Sequence, residues 1–207
     1  MLSAAEALAR LRDGNRRVVH GMHDHNAARR LTLSQTQEPF AIILGCSDAR
    51  VPAELVFGQG FGDLFVIRVA GNIVAPSQVG SVEFAAERFG TRLVVVLGHT
   101  ACGAIVTTID ELRRPTPDQS PGLRAIVDRI RPAVEPLLSA SHDARSETLV
   151  AHAVRANIRA AADHLRHGSQ VLERLVQRDG LAIVGAEYCL QTGVVDFFDG
   201  VPDRTGL

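Results

Sequence analysis

Two rhythms of hydrophobic positions alternate along the chain. Ser3-Ala-Ala-Glu6 has the form of a capping box, and Ala4, Leu8, Leu11 and Val18 recur near one helical face. The spacing predicts an opening helix to about His20. Residues 21 to 38 are polar and irregular. Phe40-Ala-Ile-Ile-Leu44 is then a short unbroken apolar run, as expected of a strand buried on both faces. Asp63 to Val69, Arg92 to Leu97 and Leu181 to Tyr188 read as three more strands. Between them a helix is predicted from about Ser77 to Phe89, with Val82, Ala85, Ala86 and Phe89 as its apolar stripe and Gly90 as its terminator. A Pro-rich, polar loop from Arg113 to Pro121 leads to further helices over roughly 123–139, 145–167 and 169–178. A turn at Gln191-Thr-Gly193 sends the chain into Val194 to Phe198, an antiparallel hairpin partner for the last of the four strands. Strands alternating with helices predict an α/β fold. The expected sheet is central and mostly parallel, with four parallel strands, an antiparallel edge strand and helices on both faces. No repeat or interdomain linker interrupts it, so residues 1–207 read as one domain with an N-terminal helical arm at about 1–38.

Composition narrows the possibilities. Apolar residues make up 46% of the 207 positions, enough for a core, and the formal net charge is -1. That balance supplies no bulk attraction to nucleic acid or to a membrane surface. The N-terminus is broken by charges and lacks the apolar core of a signal peptide, and no run approaches the ~18 apolar residues of a membrane span. The three cysteines, Cys46, Cys102 and Cys189, are too few and odd in number for a secreted disulfide framework. The expectation is a cytoplasmic protein whose thiols are free to bind metal.

Two of those cysteines follow strands directly. The first strand runs into Gly45-Cys46-Ser-Asp48-Ala-Arg50, the third into Gly98-His99-Thr-Ala-Cys102-Gly103. Ligands of open α/β sheets bind outside the carboxyl ends of the strands, which puts both turns on one edge. His99 and Cys102 are spaced to converge on one ion, and the positive end of the following helix favours a thiolate at Cys102. Two thiolates and an imidazole suit Zn2+ in tetrahedral coordination. The fourth position falls to water, a catalytic arrangement, or to Asp48, a closed one. Either motif alone is weak, since a cysteine after an apolar strand is usually a buried small side chain; the pair is far more specific.

At these residues the chain resembles the β-class carbonic anhydrases. The match runs through CSDAR at 46–50, VPAELVFGQGFGDLFVIRVAGN at 51–72 and GHTACGA at 98–104, dense over 40–110 and looser through the Tyr188 hairpin. The resemblance implies zinc held by Cys46, His99 and Cys102, with Asp48 able to take the fourth site, and a catalytic pair of Asp48 and Arg50. It implies strand order 2-1-3-4 with a fifth strand at the edge. It also implies a homodimer or tetramer whose N-terminal helix packs on a neighbouring subunit, acting on carbon dioxide and bicarbonate. Some members are inhibited by bicarbonate at a site that includes a Trp three residues before the first zinc cysteine; Ile43 stands there, while Arg68 and Tyr188 match other parts of that site.

The expected chemistry is hydration of CO2 by zinc-bound hydroxide, since zinc lowers the pKa of its water to about 7. Arg50 would hold Asp48 off the metal as a bidentate partner, and Asp48 would orient the hydroxide. Gln59 and the Gly103 N–H are candidates to bind the bicarbonate formed, and Phe57, Phe61, Val69 and Ile73 to line an apolar pocket. Three alternatives share some of these residues: a related zinc hydrolase acting on CS2 or COS, a non-catalytic zinc-stabilised interaction protein, and a thiol redox protein using Cys46 and Cys102. Gly58-x-Gly60-x-Gly62 precedes a strand and does not fit a dinucleotide loop. His20, His23 and His25 read as solvated loop positions, His142, His152, His164 and His167 as helix-surface or loop positions, and Cys189 as buried packing.

Overall fold

A computed structural model describes residues 2–20, 33, 36–140 and 147–202, without the side chains of residues 139 and 140. Most of the irregular stretch predicted at 21–38, with His23 and His25, lies outside the described residues, as does His142.

The first helix, α1 (Ala4–Val19), begins on the expected capping box: the Ser3 hydroxyl accepts from the Glu6 N–H, and the Glu6 carboxylate accepts from the Ser3 N–H. Next come β1 (Ala41–Gly45), the short α2 (Ala53–Phe57), β2 (Leu64–Arg68) and a single 3-10 turn at Ala70–Asn72. Then follow α3 (Pro76–Arg88), β3 (Leu93–His99) and α4 (Gly103–Arg113). The remaining elements are α5 (Pro121–Ala140), α6 (Glu147–His167), α7 (Gln170–Arg178), β4 (Ala182–Tyr188) and β5 (Val195–Asp199). Each predicted strand and helix is present with its ends within two residues of the expectation, apart from the start expected at about 145, which lies outside the described residues. Helix α2 is an addition: five residues between Pro52 and Gly58 carry too little periodicity to declare a helix.

The five strands form one sheet in the order β2-β1-β3-β4-β5, parallel except for the β4–β5 pair. Alternate residues serve two cores. Ile42, Leu44, Val94, Val96 and Ile183 face the side covered by α3 to α7. Ala41, Ile43, Leu93, Val95, Leu97 and Val184 face the side covered by α1 and α2. Double burial explains why β1 and β3 read as unbroken apolar runs.

Helix α1 packs over its own chain. Ala7, Leu8 and Leu11 are buried in the second core. The buried Asn15 donates to the carbonyls of Val56 and Gly193 and accepts from the Val195 N–H. The helix is thereby tied to α2 and the β5 hairpin of the same chain.

For the site, the decisive feature is register. Gly45 at the end of β1 lies beside Leu97 of β3, so the chain leaves both strands at one edge, two residues from His99.

Candidate metal centre

Cys46, His99 and Cys102 come together at that edge, with their ligand atoms all within 4.8 Å of one another. All three are buried, at 5%, 0% and 2% exposure. The two Sγ atoms are 4.0 Å apart. Two sulfurs each ~2.3 Å from one tetrahedral ion stand about 3.8 Å apart, so the spacing fits zinc. His99 Nδ1 is 2.9 Å from the Thr100 carbonyl, which can only accept, so the Nδ1–H donates there and Nε2 is left as the free nitrogen. Nε2 is buried and, among the described residues, has no hydrogen-bond partner. A buried imidazole nitrogen with nothing to bond, beside two thiols, is the donor set a zinc ion completes.

The turns that carry these ligands are themselves held. The Gly71 N–H donates to Cys46 Sγ at 3.4 Å. Arg68 donates from Nε to the Cys46 carbonyl at 3.0 Å and from Nη2 to the Asp48 carbonyl at 2.6 Å. Arg68 thus clamps the 46–48 turn. The Gly71 contact had only one trace in the sequence, the Ala-Gly-Asn that follows β2.

Electrostatics bind the cluster together. Cys46 is pushed well below the ordinary thiol range, first because Cys102 donates to it, with His99 and the backbone N–H groups of Asp48 and Gly71 adding and burial opposing. The same contact with Cys46 pushes Cys102 up, burial and the Cys46 charge adding; the N–H groups of Ile105 and Ala104 at the start of α4 pull the other way and are outweighed. The contact thus favours the thiolate at Cys46 and the protonated thiol at Cys102. Burial works against charge on His99, but the neighbouring Cys46 sulfur, the Thr100 carbonyl and the charge of Asp48 raise it overall.

Asp48 and Arg50 form the expected pair. Asp48 Oδ1 accepts from the Arg50 backbone N–H at 3.0 Å and from Nε at 2.9 Å, and Oδ2 accepts from Nη2 at 2.7 Å. These bonds, before all else, hold the Asp48 carboxyl far below the usual carboxylate range. Its Oδ2 also lies 3.7 Å from His99 Nε2, so the carboxylate stands at the rim of the ligand cluster while engaged by arginine.

The other sequence candidates are distributed as follows. Gly103 opens α4 beside Cys102, and the space where a Cβ would stand is open. Gln59 is buried among α1 and α2: its Oε1 accepts from Arg10 Nε at 3.3 Å and its Nε2 donates to the Phe57 carbonyl at 2.7 Å. Ile73 and Val69 belong to the core that contains Cys46 and Cys102, whereas Phe57 belongs to the opposite core and Phe61 is 56% exposed. Ile43 also faces the opposite core. Cys189 is only half-buried, against the packing role expected of it, because it lies past the end of β4, where the Thr192 hydroxyl and N–H lower its pKa. A groove of about 730 Å³ runs between α1 and β5, lined in part by Leu8, Arg12, Val194 and Phe197, and touches none of the ligands.

The chain is similar to known proteins. A family model described as carbonic anhydrase matches residues 41–195. Carbonic anhydrase 2 of Mycobacterium tuberculosis is 35% identical over 188 residues, which cover 88% of this chain and 87% of that one. A carbonic anhydrase of Mycolicibacterium smegmatis is 42% identical over 127 residues, 60% of this chain and 61% of that one. Among solved structures, one of two tetrameric β-carbonic anhydrases from Sordaria macrospora superposes with a TM-score of 0.71 at 22% identity, over 84% of this chain and 87% of that one.

Proposed function

Since this chain belongs to the β-carbonic anhydrase family, we propose that it binds one zinc ion through Cys46, His99 and Cys102 and catalyses the reversible hydration of carbon dioxide to bicarbonate and a proton. The observation that carries the reading is the buried His99 Nε2 without a partner, set beside two thiols 4.0 Å apart. Zinc bound there supplies a Lewis acid that brings the pKa of a coordinated water to about 7.

The protein's own residues supply orientation. Arg50 holds both oxygens of Asp48, which keeps the carboxylate ionised and would hold it away from a bound metal. From the rim of the cluster Asp48 would accept a hydrogen bond from the attacking water and orient it toward CO2. Arg68 fixes the turn that carries Asp48. The apolar side chains of Ile73 and Val69 suit an uncharged, nonpolar substrate. For bicarbonate, the Gly103 N–H at the exposed start of α4 is our candidate donor. A role for Gln59 requires its amide to exchange the Arg10 and Phe57 partners that it has.

We read the enzyme as cytoplasmic and as a homodimer or tetramer. The three cysteines are free, which supports a reducing compartment, and no helix among the described residues is long and apolar enough to cross a membrane. The exposed Phe84, tilted against Phe65 and edge-on to Phe89 beside the edge strand β2, and the groove beside β5 are surfaces that a second copy of the chain would cover.

The dyad is tested by Asp48→Ala and Arg50→Ala. Each variant should retain zinc and lose most CO2 hydration, because neither side chain is needed to hold the ion and both are needed to orient the nucleophile. Near-wild-type turnover in both variants removes the dyad from the mechanism.

A further inference from the structure

Behind the Cys46 sulfur, α6 sends a buried amide into the turn that touches it. Asn157 is 3% exposed, and its Nδ2 donates to the Gly71 carbonyl at 2.8 Å. The N–H of the same glycine is the donor to Cys46 Sγ. Gly71 has φ 66° and ψ 21°, and Asn72 follows with φ 43°, so two consecutive residues are left-handed and the second carries a side chain. Such backbone persists only where its surroundings over-determine it. The surroundings include the Asn157 bond, a bond from the Asn72 N–H to the Val69 carbonyl at 3.0 Å, and the side chains of Ile130 and Ala104 packed against Gly71.

Helix α6 is brought to this depth by its next residue. Ile158 is fully buried and seats between two glycines of adjacent strands. A Cβ on Gly98 would fall 2.5 Å from its Cδ1, and one on Gly185 would fall 2.9 Å from its Cγ2. Helix and sheet touch closely enough for a short asparagine to reach the turn.

We propose that Asn157 is a positioning residue for the Cys46 ligand: by fixing the Gly71 turn it aims that N–H at the sulfur and sets the sulfur's strength as a metal donor. The Gly71 N–H and carbonyl belong to different peptide planes, so the effect is geometric and not a polarisation passed along one amide. The inference rests on the reading of Cys46 as a zinc ligand. Loss of an outer partner of a metal ligand typically weakens metal affinity or activity by about 10- to 100-fold.

The full-length protein with Asn157→Leu, and separately with Asn157→Asp, is compared with wild type by zinc competition against a chelator at fixed pH. The cobalt-substituted proteins are compared by their near-ultraviolet thiolate-to-metal absorption. Asn15→Leu, a buried asparagine remote from the cluster, is the control for lost stability alone. The expected result is zinc affinity weaker by about 10- to 100-fold and a shifted cobalt band in both 157 variants, with affinity and band unchanged in the Asn15 variant. A measurement on the unmutated protein loaded with cadmium-113 should in addition show scalar coupling between the metal and the Gly71 amide proton. Wild-type affinity and band in either 157 variant, an equal shift in the Asn15 variant, or no coupling at Gly71 overturns the proposal. Failure of the functional reading would look different: wild-type protein that binds no zinc, or binds it without hydrating CO2.

Discussion

Gly98 offers a quantitative test of how the sheet end that carries His99 is built. It lies one residue before the histidine on a strand buried on both faces. An added Cβ would stand 2.5 Å from Cδ1 and 2.6 Å from Cγ1 of Ile158, and 3.4 Å from Asn72 Oδ1. No carbon pair tolerates the first two distances, so in Gly98→Ala either Ile158 or the end of β3 must move. Overpacking of this kind costs about 1–3 kcal/mol. Ile158→Ala removes the obstructing atoms and leaves a cavity, at about 2–5 kcal/mol. In the double variant the new Cβ enters space that Ile158 has vacated. Its total should therefore fall short of the sum of the single costs by about 0.5–3 kcal/mol. Urea unfolding of the four proteins at one protein concentration measures the cycle. Zinc affinity supplies a second readout, since a displaced β3 end carries His99 with it: Gly98→Ala should weaken binding and the double variant should recover part of the loss. Additive stabilities within about 0.5 kcal/mol, with wild-type zinc affinity in Gly98→Ala, would refute the steric reasoning.

Other consequences are checked more simply. Ala in place of Cys102 removes a direct ligand; if ~10–16 kcal/mol of structural zinc binding is shared among four ligands, zinc affinity should fall by about 100- to 1,000-fold, and full zinc content in dilute Cys102→Ala refutes the ligand set. Without metal, Cys102 keeps its proton, and His99, whose pKa is raised, keeps one until the pH passes that raised value. Zinc displaces both, so its affinity should rise with pH by about a hundredfold per unit while His99 is protonated and about tenfold per unit above that; a flat profile in chelator competition would contradict it. Asp48 acts in the same direction on stability: its depressed pKa gives a contribution that is present above the ordinary carboxylate range near ~4 and lost as pH falls below it. Light scattering at micromolar concentration should find a dimer or larger, and a fully active monomer would contradict the assembly.

The sequence announced the strands plainly because β1 and β3 are buried on both faces, and the cysteine motifs because they follow those strands directly. Their convergence required only that β1 and β3 be neighbours, a statement about topology that the family resemblance supplied. Partners distant in sequence were less legible. Asn157 is 86 residues from Gly71 and reads as an ordinary polar position on a helix. The seat of Ile158 between Gly98 and Gly185 depends on side-chain depth, which periodicity does not report. The five-residue helix α2 leaves no mark in the hydrophobic pattern, so the placement of Phe57 in the core under α1 and the bond from Arg10 to Gln59 were not legible either. Arg68 drew attention as a regulatory match, while its bonds show it clamping the ligand turn.

The central claim is tested most directly by following zinc content and CO2 hydration in the same samples. Stopped-flow rates would be recorded for the purified protein, for protein stripped by a chelator, and for stripped protein given back measured amounts of zinc. The account predicts hydration that rises in proportion to bound zinc and saturates near one zinc per chain. Zinc-loaded protein that hydrates CO2 no faster than buffer, or stripped protein that keeps its full rate, would contradict it.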